Sequence, residues 1–174
     1  MSALLLALFV QAHYVDPSGA THDLKLWRDG SRIRRDTDGK LQLFVQHEAD
    51  GDDQYRLVDR ARGRAFAVHR VNLHRIGSFP DWSELASLSA PPKGKPGARE
   101  QTPAGECRWI SDGERQVCWS AKLGLALRIR VRQSSRFREV MAVDKIARGG
   151  IDPAQLTPPE DLPLIDVDRD VAGD

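Results

Sequence analysis

The two cysteines are the residues of this sequence whose type and spacing most directly predict a bond. Cys107 and Cys118 lie on either side of Asp112-Gly113, a pair typical of a tight hairpin turn because Gly accepts a positive φ and Asp tolerates it. With the turn there, Cys107 faces Cys118 across two antiparallel strands. We therefore predict a disulfide, which would stabilise the fold by roughly 3 kcal/mol through loop closure. The alternative is a pair of reduced, packed cysteines in a cytosolic protein.

The histidines and the one serine next to a glutamate do not form a recognisable catalytic or metal motif. His69 and His74 are five residues apart, whereas metal ligands on one strand lie two apart and those on one helix three or four. Ser83-Glu84 and a distant histidine do not define a triad without known geometry. The sequence has no phosphate-binding glycine loop and no HExxH motif. We therefore expect no enzymatic activity, no metal and no cofactor.

A row of arginines follows one face of a predicted strand. Arg128, Arg130 and Arg132 alternate with apolar residues, so that one face is charged and the other packs. Such a row can bind anionic lipid or nucleic acid through bidentate contacts, or it can be the hydrated face of a sheet. We favour the hydrated face, because the sequence beside the row lacks the interleaved aromatic residues that stack on bases. Nucleic acid is not an expected partner.

The charge of the chain is balanced overall but unevenly distributed. The 174 residues, enough for one domain of ordinary size, include 26 basic and 25 acidic ones, which excludes a strongly basic nucleic-acid-binding protein. Residues 149–174 carry seven acidic side chains and one basic side chain, a net charge of −6, while residues 1–148 have a net charge of +7. The acidic C-terminal segment, 151–174, either docks on the rest of the domain or is a solvated tail.

Asp-Gly turns divide the chain into short strands, at the intervals of roughly 8–12 residues that are typical of an antiparallel sheet. Apolar and polar residues alternate between these turns, most clearly in 125–132, which is the pattern of a strand with one packed face. We expect a mainly β fold with some helix (α+β), in which residues 1–150 form an antiparallel sheet. The C-terminal segment 151–174 is expected to be part of the same domain.

One helix interrupts the predicted strands. Trp82, Leu85 and Leu88 recur at three-residue spacing and fall on one helical stripe. They predict a helical lid near 79–90 that faces the sheet. The prolines and glycines that follow predict a flexible loop over 91–100.

Residues 1–12 have two interpretations. The apolar stretch Leu4–Val10 and the following Gln11-Ala12 resemble the end of a signal peptide. However, no Lys or Arg precedes the stretch, and it is shorter than a usual signal. We favour a first strand, with a cleaved signal as the alternative.

Several short segments resemble, in order and composition, one known superfamily. A strand leads into Asp16–Gly19, then Leu24–Trp27 and Arg32–Arg35 follow, and the chain closes with Ile151–Leu156 and a proline-rich stretch. This order is similar to that of the LolA/LolB-like superfamily of periplasmic lipoprotein carriers and outer-membrane lipoprotein-sorting proteins. The resemblance implies an open antiparallel half-barrel of about 8–11 strands, with one or more helices covering its concave face.

The resemblance further implies a non-catalytic envelope protein, in the periplasm or cell envelope, that binds an acyl chain, a lipid or an acylated lipoprotein in an apolar cavity. Arg34, at the position of the superfamily's arginine, would contact the lid. The alternatives are a protein–protein interaction module of the envelope, with a filled core and another envelope protein as partner, and a cytoplasmic location. We expect a monomer. The expected cavity residues are Leu24, Leu26, Leu41, Leu43, Trp82, Leu85, Leu125, Leu127 and Ile129.

Overall fold

The computed structural model describes residues 5–169 of the chain, with side chains from residue 7 onward. Within that range the helices are η1 (Arg70–Arg75), α1 (Trp82–Ser87) and η2 (Pro153–Leu156), η1 and η2 being 3₁₀ helices. None of these described helices has the length and hydrophobicity needed to cross a lipid bilayer. The strands are β1 (Leu5–Val15), β2 (Thr21–Gly30), β3 (Arg32–Thr37), β4 (Leu41–Gln46), β5 (Gln54–Asp59), β6 (Arg64–His69), β7 (Lys95–Thr102), β8 (Gly105–Ser111), β9 (Arg115–Ser120), β10 (Leu125–Gln133), β11 (Arg136–Arg148) and β12 (Leu164–Asp166).

The strands form one large open sheet. Their order is β12-β6-β5-β4-β3-β2-β1-β11-β10-β9-β8-β7, which makes 12 described strands where about 8–11 were predicted. Neighbours from β3 to β6 and from β7 to β11 pair antiparallel, because each strand returns through a short turn. β12 pairs parallel with β6, since a long stretch of chain separates the two. The prediction of a mainly β, antiparallel fold is confirmed.

The chain groups into two compact units. Of the described residues, unit 1 contains those up to Phe9, Lys25–Trp82 and those from Arg148 to Arg169, and unit 2 contains Val10–Leu24 and Ser83–Ala147. The single domain of the sequence analysis stays a prediction. The C-terminal segment falls within unit 1.

In unit 1, strands β4 to β6 bury side chains on both faces. Phe44, Val58 and Ala65 form a core cluster on one face, and Leu162 of the C-terminal segment packs against them. On the opposite face, as the alternation of a strand requires, lies Leu43, which is 6% exposed. Because both faces are apolar, both must be covered, and the C-terminal segment covers the Phe44 face.

The C-terminal segment is attached to unit 1 by backbone hydrogen bonds. The Ala65 N–H donates to the Pro163 carbonyl at 2.9 Å, and the Val167 N–H donates to the Ala67 carbonyl at 3.0 Å. Of the two interpretations left open by the sequence, docking is therefore right for the described part of the segment.

In unit 2, the hairpin β8–β9 carries the predicted disulfide. Cys107 and Cys118 are bonded, with Cα atoms 5.3 Å apart, and both are buried. The pairing of the two cysteines is confirmed.

The register of this hairpin differs from the predicted one. Trp109, not Cys107, lies directly opposite Cys118, so the two cysteines are diagonal neighbours. The turn is centred one residue later than predicted, because the Asp112 side chain accepts hydrogen bonds from the backbone N–H groups of Glu114 and Arg115, at 3.0 and 2.7 Å. An aspartate that bonds its own turn in this way fixes where the turn lies.

The flexible loop predicted over 91–100 is wrong from residue 95 onward, because Lys95–Thr102 is strand β7. Pro96 and Gly97 are chain breakers in a central strand, but β7 is an edge strand, and an edge strand tolerates a proline whose missing N–H faces away from the ladder. The register shifts between Pro96 and Arg99, which is where a bulge absorbs the irregular residues. The Trp109 indole N–H donates to Glu100 at 2.7 Å and fixes β7 to β8.

The predicted helical lid near 79–90 is reduced to the six residues of α1. Leu85 is 1% exposed, and Trp82 is half-buried. The helix ends at Ser87, because the next residue, Leu88, has a left-handed φ of 61° that stops further helical hydrogen bonding. A helical cover over the whole sheet stays a prediction.

Removal of the disulfide should destabilise the protein. The double variant Cys107→Ala/Cys118→Ala should lose about 2–4 kcal/mol of unfolding free energy, because the unfolded chain regains the entropy of an open loop. Urea denaturation measures this loss. Reducing the native protein should produce a similar loss, whereas reductant should leave the double variant unchanged. Equal urea midpoints for the native protein and the double variant would contradict the stabilising role.

Gly94 should not tolerate a side chain. It has a φ of +155°, and a Cβ there would lie 2.1 Å from the carbonyl oxygen of Ser111. Gly94→Ala should therefore cost about 1–3 kcal/mol by displacing the start of β7. Gly150→Ala is the matched control, because nothing lies within 4 Å of its Cβ position, and it should change the urea midpoint little. A Gly94→Ala variant as stable as Gly150→Ala would show that β7 does not hold this backbone contact.

Candidate ligand-binding groove

The nine residues predicted to line a cavity are mostly core residues. Six of them, Leu24, Leu26, Leu43, Leu85, Leu125 and Leu127, are buried, whereas Leu41 is 39% exposed. Trp82 and Ile129 are half-buried. The nine divide between the two units, and none of them lines the groove that unit 1 does contain.

That groove is a cavity of about 400 Å³ between the Phe44 face of β3–β6 and the C-terminal segment. We call it the C-terminal groove. Its floor includes Arg32, Phe44, Gln46, Gln54, Arg56, Ala67 and His69. Its wall consists of Leu156, Thr157, Pro158, Asp166 and Asp168.

Strand register explains why these side chains share one face. Phe44 pairs with Arg56, Arg56 with Ala67, and Ala67 with Asp166. Directly paired residues of neighbouring strands point to the same side of a sheet. The floor is therefore one row of paired residues, with the next row two residues along each strand.

Arg34 holds one end of the wall in place. Its Nη2 lies 2.6 Å from Asp36 Oδ2, and its Nη1 donates to the carbonyl oxygen of Gln155 at 3.3 Å. The guanidinium also lies over the rings of Trp27 and Phe44, at 4.6 and 5.4 Å, a geometry favourable for cation–π attraction. The arginine expected to contact a lid thus contacts η2 of the C-terminal segment.

Asp168 holds the other end of the wall. Its carboxylate accepts hydrogen bonds from the backbone N–H of His69 at 3.0 Å, from the His69 ring at 2.9 Å and from the Asn72 amide at 2.7 Å. The hydrogen bond to Asp168, together with the nearby carboxylates of Asp52 and Asp166, raises the pKa of His69. Burial raises the pKa of Asp168, but the hydrogen bonds from Asn72 and His69 outweigh burial and leave that pKa below its ordinary value.

Sequence reasoning missed a histidine–aspartate pair in unit 1. His47 Nδ1 lies 2.7 Å from Oδ1 of the fully buried Asp53, and the His47 ring stacks on Trp82 with centroids 4.9 Å apart. Asp53 Oδ2 and the hydroxyl of Tyr55 are buried without a hydrogen-bond partner in the described part of the chain, and burial raises the pKa of Tyr55 to about 12.

The arginine row of β10 in unit 2 is mostly neutralised. Arg128 forms ion pairs with Glu100 and Glu139, and Arg130 lies 4.2 Å from the ring of Trp109. Strand β8, which is two strands away from β10 in the sheet, thus supplies an aromatic residue that the linear sequence did not place beside the row. A hydrated face stabilised by these contacts agrees with the interpretation favoured from the sequence.

The described residues contain no group of three metal-ligating side chains. No known protein family model matches the chain, and no curated protein matches it in sequence. Its fold is similar to that of an uncharacterized conserved protein from Thermus thermophilus, with a TM-score of 0.62 over 92% of this chain and 90% of the other, at 8% sequence identity. At that identity the similarity concerns the fold alone.

The contact between His69 and Asp168 should make attachment of the C-terminal segment depend on pH. Because the pKa of His69 is raised, its contribution is complete below about pH 6.5 and is lost as pH rises through the folded-state pKa. Because the pKa of Asp168 is lowered, its contribution is present above about pH 4 and is lost as pH falls. His69→Gln should therefore destabilise more at about pH 5.5 than at about pH 8.5, by less than about 1 kcal/mol since the pair is partly exposed.

Urea denaturation at the two pH values measures this difference, and hydrogen exchange of the Val167 amide reports the attachment of the C-terminal segment directly. His74→Gln is the control, since His74 is exposed. It should leave stability unchanged at both pH values. An equal loss for His69→Gln at both pH values would contradict an electrostatic contribution.

Proposed function

We propose that this protein is a non-catalytic binding protein that takes up a small amphiphile with an acyl chain in the C-terminal groove. The observation that carries the proposal is the cavity of about 400 Å³ in unit 1, which lies within the range of roughly 300–1,000 Å³ typical of ligand pockets. Phe44, Leu156 and Pro158 give the groove apolar surface for a chain, and the polar residues of its floor can contact a polar head group.

The cavity suits a short chain. Burial of about ten CH2 groups would provide roughly 8 kcal/mol before ordering costs, at about 0.8 kcal/mol each. That figure corresponds to micromolar affinity. The measured affinity will depend on how well the groove is formed without ligand, because ordering the C-terminal segment on binding would consume part of this energy.

The relationship to LolA/LolB-like carriers, the half-barrel with helices over its concave face and the location in the periplasm or envelope belong to the same proposal. The open antiparallel sheet supports the architecture. The disulfide supports an oxidising compartment, because disulfides persist there. The groove replaces the nine-residue cavity as the proposed site, and lipid or acylated lipoprotein remains the proposed partner class.

A second candidate function is an envelope interaction module that binds another protein and no small ligand. One observation favours it, namely that six of the nine residues expected to line a cavity are buried in the core. If this function is right, the native protein does not bind an acyl probe, and filling the C-terminal groove does not change that result.

Filling the groove should abolish acyl binding. Ala67 lies on the floor of the groove, so Ala67→Trp should weaken binding of a fluorescent fatty acyl probe tenfold or more by occupying the cavity. Ala61→Trp is the matched control, because Ala61 is exposed in the turn between β5 and β6 and outside the groove. Fluorescence titration measures both, with circular dichroism melting to confirm that each variant is folded. No probe binding to the native protein, or equal binding to both variants, would reject the groove as an acyl site.

A further inference from the structure

The C-terminal groove contains two arginines without an acidic partner. Arg32 and Arg56 both line the cavity, and neither forms an ion pair or hydrogen bond through its side chain with any residue in the range 5–169 that the structure describes. Both are half-buried, where a charge is less screened than at an open surface. Unit 1 therefore holds two guanidinium groups whose counter-charge the described chain does not supply.

Two other arginines near the C-terminal segment have acidic partners. Arg34 pairs with Asp36 at 2.6 Å, and Arg60 pairs with Asp161 at 3.1 Å. Acidic side chains near the segment thus form ion pairs with Arg34 and Arg60, whereas the two arginines that line the groove have no such partner among the described residues.

The acidic residues of the groove wall are already engaged. Asp168 accepts three hydrogen bonds from His69 and Asn72. Asp166 forms an ion pair with Arg169 at 3.3 Å and accepts a hydrogen bond from the backbone N–H of Asp168. These carboxylates cannot turn to Arg32 or Arg56 without losing those partners, so the two guanidinium groups of the groove have no ion-pair partner among the described residues.

The two arginines stand on either side of one strand. Arg32 is on β3, where it pairs with Gln46 of β4, and Arg56 is on β5, where it pairs with Phe44 of β4. Strands two apart in a sheet are separated by about 10 Å, and the offset of two residues along β4 adds about 7 Å, so the two positions lie about 12 Å apart. Two extended arginine side chains can reach one anion across that distance from both sides. Phe44, which is paired directly with Arg56, offers an apolar surface next to that anion.

We propose that the C-terminal groove selects an anionic amphiphile, whose carboxylate or phosphate head group is bound by Arg32 and Arg56 while its chain lies against Phe44, Leu156 and Pro158. The proposal rests on the acyl-binding function proposed above and names the ligand class of that site. Arginine suits this role because its planar donors bind carboxylate and phosphate oxygens in pairs.

The first test compares decanoate with decanol on the native protein by isothermal titration calorimetry at about pH 7.5. The two ligands share the chain and differ in head-group charge. Decanoate should bind at least tenfold more tightly, and this preference should fall as the salt concentration rises. Equal affinity for both ligands would overturn the anion site while leaving acyl binding intact. Binding of neither ligand would reject the proposed function itself.

The second test removes the arginines. Arg32→Gln/Arg56→Gln should reduce the preference for decanoate over decanol to about one by lowering the affinity for decanoate. The control is Arg70→Gln/Arg75→Gln, which removes the same charge from exposed residues of η1 outside the groove and should keep the preference. A preference that survives in the Arg32→Gln/Arg56→Gln variant would overturn the assignment to these residues.

Further titrations distinguish the source of the anion. Decyl phosphate that binds more tightly than decanoate indicates a phosphate head group, and the reverse order indicates a fatty acid. Either order supports the proposal. Inorganic phosphate should displace decanoate only at concentrations at least a hundredfold higher than those at which decyl phosphate displaces it. If inorganic phosphate and decyl phosphate compete at equal concentrations, the proposal of an amphiphilic ligand is wrong, because the alkyl chain would then contribute nothing to the binding free energy.

Discussion

The structure of unit 1 depends on a sheet segment that is apolar on both faces. Leu43 packs on one side of β4 and Phe44 on the other, so a single layer of cover would leave one hydrophobic face in water. The C-terminal segment supplies the second layer through Leu162 and the pairing of β12 with β6. The groove exists because the C-terminal segment is a single narrow stretch of chain, called the strap below, rather than a long helix or a second sheet. It leaves part of the Phe44 face open between η2 and β12.

Attachment of the strap combines weak and strong contacts. The ion pair between Arg60 and Asp161 is largely exposed, and pairs of that kind contribute little individually. The backbone hydrogen bonds to Ala65 and Ala67 fix the register, and the contacts of Asp168 with β6 and η1 secure the end. The uneven charge of the sequence thus has a structural meaning, since acidic residues of the segment meet basic or donor groups of unit 1. The same segment carries the wall of the groove and the two acidic residues that line it, Asp166 and Asp168.

The elements of this fold could be predicted from the sequence much better than its site. Alternating residues and Asp-Gly turns indicated the strands, since both signals are local. β7 was missed because Pro96 and Gly97 are breakers in a central strand but are tolerated at an edge, and edge position depends on the whole sheet. The groove was missed because its two sides come from residues about a hundred positions apart, such as His69 and Asp168. Nothing in the local sequence distinguishes Arg32 and Arg56 from arginines that have a partner.

The irregular edge strand also affects how this protein behaves among its own copies. An open sheet has unpaired backbone N–H and C=O groups along its two edge strands. A long, regular edge strand can pair with a strand of another molecule and start aggregation. At one end lies β12, which has only 3 residues. At the other end the proline of β7 has no N–H to donate, and the shift of register beside it interrupts the repeat. Within the described residues, neither edge strand is long and regular enough to pair with a strand of another copy. The protein should therefore not aggregate at concentrations where a sheet of this size with regular edge strands would form fibrils.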